Sequence, residues 1–146
     1  MDNVDREIDT DVLGSNQILF EFVKRSSDGL PIDIGEVFEL LSSQRRRNLI
    51  LELADRTPMA EEDDTYVEIR DLSVVLACEE YGVSPDELSS EQRHRVYVSI
   101  TQNHAEKLDE CGIAEYYERV KKVGSSPEIM LLADIVRTVE AAVEFG

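Results

Sequence analysis

The stretch that decides the fold is SSEQRHRVYVSITQNHAEKLDECGIAEYYERVKKVG, residues 89–124. Ser89 with Gln92 three positions later has the capping-box spacing that satisfies free amides at a helix start, and Gly112 supplies a stop, so one long amphipathic helix is expected to about Glu110. The runs IAEYY (113–117) and VKKVG (120–124) then read as two short strands of a hairpin around Glu118 and Arg119, although the turn lacks the usual Gly or Asn.

At about 100° per residue the helix has two faces. Tyr97, Val98, Ile100, Thr101, His104, Ala105, Leu108 and Cys111 fall on the side expected to face a core. Gln92, Arg95, Ser99, Gln102, Asn103, Glu106 and Glu110 fall on the other. Arg, Gln and Asn carry paired donors and acceptors that match base edges in the major groove, and Ser reaches bases or phosphates, so Arg95, Ser99, Gln102 and Asn103 are candidate base readers. An ordinary polar helix face has the same composition, and the context must decide. That context is the hairpin, where Arg119, Lys121 and Lys122 form the densest basic cluster of the second half of the chain.

Upstream, Asp33 and Glu36 make another capping box, which opens a helix over about 34–41 with Val37, Phe38, Leu40 and Leu41 apolar. Ser42 and Ser43 break it and cap a second helix, about 44–54, with Leu49, Ile50 and Leu53 at core spacing. Arg45, Arg46 and Arg47 at its start form a second basic island, free either to contact phosphates or to pair with the abundant carboxylates. The segment from Arg56 to Asp64, with Pro58 and four consecutive carboxylates, reads as a solvated loop. Residues 66–69 alternate like a strand, Asp71 opens a third helix with Leu72, Val75, Leu76 and Cys78 or Glu79 inward, and Gly82 ends it. Ser84 and Pro85 start a single turn before Ser89.

A last helix runs from Pro127 to about Phe145. Ile129, Leu132, Val136, Val139 and Val143 recur at alternating steps of three and four, a two-heptad seam that fits either a dimer interface or packing on the chain's own domain; the dimer is the expected use. At the other end, residues 1–15 are a flexible acidic leader, and NQILFEFVK (16–24) reads as a strand or, preferably, a short helix. The organisation is a leader, 1–15, one domain over 16–124, and the C-terminal helix, 125–146. The order helix, helix, short strand, helix, long helix, hairpin, helix is that of a winged helix-turn-helix, mainly α with a small β-hairpin wing.

Composition bears on the solvent. The 146 residues carry 32 Asp and Glu against 15 Lys and Arg, a net charge of −17, yet 42% are hydrophobic and these are spread along the chain, which excludes bulk disorder. The cations are skewed as well, with only Lys24, Lys107, Lys121 and Lys122 against a majority of Arg. An acidic, Lys-poor surface on a foldable chain fits a protein of a halophilic archaeon, where carboxylates hold water in concentrated salt. No run approaches the ~18 apolar residues of a membrane span and the acidic start is unlike a signal peptide, so a soluble, cytoplasmic protein is expected. Cys78 and Cys111 read as small buried residues of a reducing compartment.

The segments VFELLSSQRRRNLILELAD (37–55), VEIRDLSVVLACEE (67–80) and RHRVYVSITQNHAEKLDECGIAEYY (93–117) resemble a family of small haloarchaeal winged-helix proteins, which share the arginine-rich helix and the His, Lys-Leu, Gly-Ile ending of the recognition helix. QNHAEKLDECGI (102–113) is also similar to the matching piece of ArsR-type and MarR-type regulators. The resemblance covers about residues 31–124 and implies a winged helix that binds DNA, with no target specified. This chain departs from the pattern in the long connection from Tyr81 to Ser90, in the wing turn without Gly, and in Glu106 and Glu110 on the recognition face.

Cys78, His94, His104 and Cys111 match no compact metal-ligand spacing, and no nucleophile elbow, phosphate loop or metalloprotease signature is present, so neither a metal, a cofactor nor an enzyme is expected. The expectation is a homodimeric transcription regulator that binds duplex DNA through helix 90–111 and the wing. The rival is a winged helix that docks a partner regulator protein without touching DNA.

Overall fold

A computed structural model describes residues 29–56 and 66–145. The expected acidic leader, the 16–24 segment and most of the loop after Arg56 lie outside these residues. Helix α1 (Ile34–Leu41) begins at the Asp33 capping box: Asp33 Oδ1 accepts from the Glu36 N–H at 2.8 Å, and the Asp33 N–H donates back to Glu36 Oε1 at 3.4 Å. Helix α2 (Gln44–Arg56) follows directly and buries Leu49, Ile50, Leu53 and Ala54. Of the apolar residues expected to anchor α1, Leu40 is fully buried and Val37 and Leu41 pack partly, but Phe38 is 63% exposed.

Strand β1 (Tyr66–Glu68) passes without a break into α3 (Ile69–Tyr81), two residues before the expected start at Asp71. The reason is tertiary: Ile69 is fully buried, and its N–H donates to the Lys121 carbonyl at 3.0 Å, which fixes the end of the strand and the first helical residue together. The inward stripe of α3 is Ile69, Leu72, Ser73, Leu76 and Ala77, so Val75 and Cys78 sit at its margin and Glu79 is exposed. Gly82 ends the helix in the left-handed conformation (φ 65°), its N–H donating to the Cys78 carbonyl.

The long helix is composite. It comprises α4 (Ser90–Ser99), a π-helical turn (Ile100–His104) and α5 (Ala105–Glu110). The Ser89 and Gln92 capping box forms as its spacing predicts. In the π turn the Ala105 N–H donates to Ile100, five residues back, which inserts one residue into the helix and displaces the phase of its two halves by about 100°. An unbroken helical wheel therefore misplaces the first half: Val96, absent from the expected core face, is buried, while Tyr97, Val98 and Thr101 are only half-buried.

Strands β2 (Ala114–Tyr117) and β3 (Lys122–Ser125) form the hairpin, and the antiparallel sheet has the order β1-β3-β2, with Glu68 opposite Lys122 and Tyr117 opposite the same residue on the other side. Gly124 lies under the Tyr66 ring, where a β-carbon would come within 2.5 Å of it. Tyr66 in turn meets Tyr117 edge to face, ring centroids 4.9 Å apart. Helix α6 (Glu128–Phe145) packs on α2 and closes the core. The result is a mainly helical winged-helix fold with a three-stranded sheet and an added C-terminal helix. No helix among the described residues is long and apolar enough to cross a membrane.

Candidate nucleic-acid interface

Three groups of basic residues meet the fold differently. The arginines at the start of α2 are consumed by it. Arg45 makes a two-pronged ion pair with Glu80 of α3, at 2.6 and 2.7 Å. Arg46 is 7% exposed; its Nη1 donates to the Glu39 carbonyl (2.8 Å) and the Leu40 carbonyl (3.4 Å), capping the end of α1, and its Nε donates to His104 Nδ1 in the π turn (3.3 Å). Arg47 donates to the Leu41 carbonyl and to Gln44 Oε1 (2.7 Å), and lies 3.8 Å from Glu140 of α6. Of the two uses open to these arginines, carboxylate pairing and helix capping prevail. Arg46 is too deep to meet a phosphate, and Arg45 and Arg47 already hold α3, α1 and α6 in place.

The Arg46 and His104 contact sets the state of both groups. Burial lowers the Arg46 guanidinium below its ordinary value. Burial, then the positive charges of Arg46 and Arg45, push His104 down to about 4, so its Nδ1 stays a neutral acceptor. His104 is a core histidine. Cys111 is buried and Cys78 half-buried, both as free thiols.

On the long helix, Gln102 and Asn103 are exposed within the π turn, and Ser99 is half-buried beside it. Arg95 is exposed and donates to Glu91 one turn back at 2.6 Å. An exposed pair of this kind contributes at most ~0.5 kcal/mol and can be exchanged for another anion. Glu106 and Glu110 are exposed on the same helix.

The third group joins the wing cations that the sequence singles out, Arg119, Lys121 and Lys122, to two that it does not, Arg70 and Arg93. Among the described residues, Arg45, Arg47, Arg56, Arg95, Lys107 and Arg137 pair with carboxylates and Arg46 is buried; Arg70, Arg93, Arg119, Lys121 and Lys122 have no ion pair. Two contacts link them. Arg70 in the first turn of α3 and Arg93 in the first turn of α4 line one cavity with Ser73, His94 and Tyr97. The bond from Ile69 to Lys121 carries the wing turn, residues 118–121, to the foot of α3 next to Arg70. Lys121 approaches Tyr116, 3.5 Å from its hydroxyl and 6.0 Å from the ring centre. Glu68, Asp71 and Glu118 are exposed nearby, so the strip is basic in its side chains at hand but not isolated from negative charge. Arg70 and Arg93 stand 23 positions apart in the sequence, on either side of the long connection, and only the packing of α4 on α3 brings them together.

The expected C-terminal seam divides. Ile129, Leu132 and Val136 are buried in the chain's own core against α2, which corrects their assignment to a dimer interface; Val139 and Val143 continue the stripe into solvent, Val143 at 77% exposure. Ile34 and Phe38 of α1 are exposed as well, as are Tyr66, Tyr117 and Val120 at the sheet.

No curated protein and no solved structure matches the chain. Residues 38–124, from the end of α1 through the wing, match a domain of unknown function, DUF7344. The match takes in α2, the helix-turn-helix unit and the hairpin, more than half of the chain, and the protein belongs to the DUF7344 family.

Proposed function

We propose that this protein is a DNA-binding transcription regulator, of the cytoplasm of a halophilic archaeon, which contacts duplex DNA with its recognition helix and wing. The observation that carries the reading is the segregation of cations: carboxylates outnumber them two to one, yet among the described residues those left without an ion pair lie at the first turn of α4, the first turn of α3 and the wing. In a winged helix these places flank the helix that enters the major groove. Arg70, Arg93, Arg119, Lys121 and Lys122 serve as phosphate contacts, while Arg95, Gln102 and Asn103, with Ser99 at the margin, read bases. The exposed Val139 and Val143 supply a short homodimer contact at the end of α6, which brings two recognition helices to two half-sites.

Selection of bound fragments from genomic DNA in multimolar KCl is the direct test. A recovered site should be bound about ten-fold more weakly by Arg95→Ala combined with Gln102→Ala, with fold and oligomeric state unchanged. Failure to retain any fragment above a scrambled duplex would sink the reading. A partner-docking winged helix is the second reading, favoured by Glu106 and Glu110 on the recognition helix and by the exposed Ile34 and Phe38. It requires the same selection to return no DNA.

A further inference from the structure

We propose that the cavity between the first turns of α3 and α4 is a binding site for a single phosphate group. It has a volume of about 260 Å³, is partly open to solvent, and is lined by Arg70, Ser73, Arg93, His94 and Tyr97. A water needs roughly 10–15 Å³ of such space, so a phosphate and several waters fit.

The chemistry of the lining is one-sided. No carboxylate lines the cavity. The Ser73 hydroxyl is already donating to the Ile69 carbonyl at 2.7 Å, so it closes the floor. The free donors are two guanidinium groups, an imidazole and a phenol, none with a hydrogen-bond or ion-pair partner among the described residues. Guanidinium pairs match the oxygens of a phosphate by parallel N–H donation, and the imidazole and phenol can complete its shell.

An independent observation is what the rest of the molecule does with arginine. Arg45, Arg47, Arg56, Arg95 and Arg137 each hold a carboxylate within 4 Å. Among the described arginines Arg46 is buried on carbonyls and His104, which leaves Arg70, Arg93 and Arg119 without an ion-pair partner, and two of these three share this cavity. The same two side chains belong to the DNA strip proposed above, but the phosphate site stands or falls separately, because phosphate as a diester in a DNA backbone and phosphate as a free group present the same oxygens.

The test is a titration of the full chain with inorganic phosphate and with dimethyl phosphate at constant ionic strength set by KCl, followed by the NMR signals of the His94 and Tyr97 rings. His104, buried away from solvent, serves as the internal reference. The expected result is a saturable shift of His94 and Tyr97 with either probe and none at His104. Arg70→Gln and Arg93→Gln should each weaken it ten-fold or more while leaving the His104 signal and the melting temperature in place. A change that fails to saturate, or that persists undiminished in both variants, overturns the site and marks a diffuse response to anions.

A mixed-sequence duplex then separates the sources. If it reproduces the His94 and Tyr97 shifts and displaces dimethyl phosphate, the occupant is a backbone phosphodiester. If phosphate saturates the cavity and the duplex leaves both rings untouched, the site holds a free phosphate group and it is the DNA reading that loses this face.

Discussion

Arg45, Arg46 and Arg47 are consecutive and point to three different neighbours, whereas Arg70 and Arg93 are 23 positions apart and share one cavity. Successive helical residues are turned by about 100°, so a run of three arginines at a helix start reaches in three directions: to Glu80 on α3, to the end of α1 and His104, and towards Glu140 on α6. Each direction offers a negative charge or an unpaired carbonyl. A run of basic residues in an acidic chain is thus a set of clamps, and the basic surface is assembled from cations that are scattered in sequence and find no carboxylate when the chain folds.

The contrast can be broken by exchanging stability for binding. Arg46→Ala has the largest expected effect: it strips donors from two α1 carbonyls and from His104 Nδ1 and should cost about 3 kcal/mol in denaturant unfolding. Any remaining folded protein should bind DNA as before. A small stability loss with abolished binding would place Arg46 on the wrong side of the comparison.

His104 sharpens the same point through pH. Its folded value of about 4 lies below the ordinary ~6.5, so the unfolded chain takes up the proton first as the pH falls. The stabilisation is complete above about pH 6.5 and drains away as the pH drops towards 4, by about 3 kcal/mol. The stability gap between wild type and His104→Gln should narrow by most of that amount between pH 7.5 and 4.5. Parallel unfolding curves at the two pH values would contradict the neutral, Arg46-bonded ring.

The cavity pair behaves in the opposite way. Arg70→Gln together with Arg93→Gln should change stability by less than ~0.5 kcal/mol and weaken DNA binding about ten-fold, with a shallower salt dependence. The smallest effect is expected of Arg45→Ala, which removes a partly exposed ion pair worth at most ~1 kcal/mol and leaves DNA binding unaltered. A binding defect in this variant would restore the phosphate role of the α2 arginines.

The difference between these groups explains what the sequence could disclose. Both capping boxes, Asp33 with Glu36 and Ser89 with Gln92, and the left-handed stops at Gly82 and Gly112 formed where they were expected, because each depends on residues within one turn. The element order and the hairpin followed from these boundaries. What did not follow was set by distant partners. Arg46 finds His104 across 58 positions, and that contact sits where the long helix takes in its extra residue. A uniform wheel has no means of registering one inserted residue, so it leaves Val96 off the buried face, and Arg93 meets Arg70 only through the packing of α4 on α3. The C-terminal stripe was legible as apolar, but only the presence of α2 shows that Ile129, Leu132 and Val136 are covered from within while Val139 and Val143 are not.

The wing turn carries one more consequence. Lys121 is the only residue other than glycine with a positive φ among the described residues, at 54°, a conformation that costs an L side chain of order 1 kcal/mol. Glycine or asparagine would relax the turn, and either would delete a cation from the strip at the same stroke. At this position ease of folding and local positive charge pull the choice of residue in opposite directions, and the chain carries the cramped turn together with the charge.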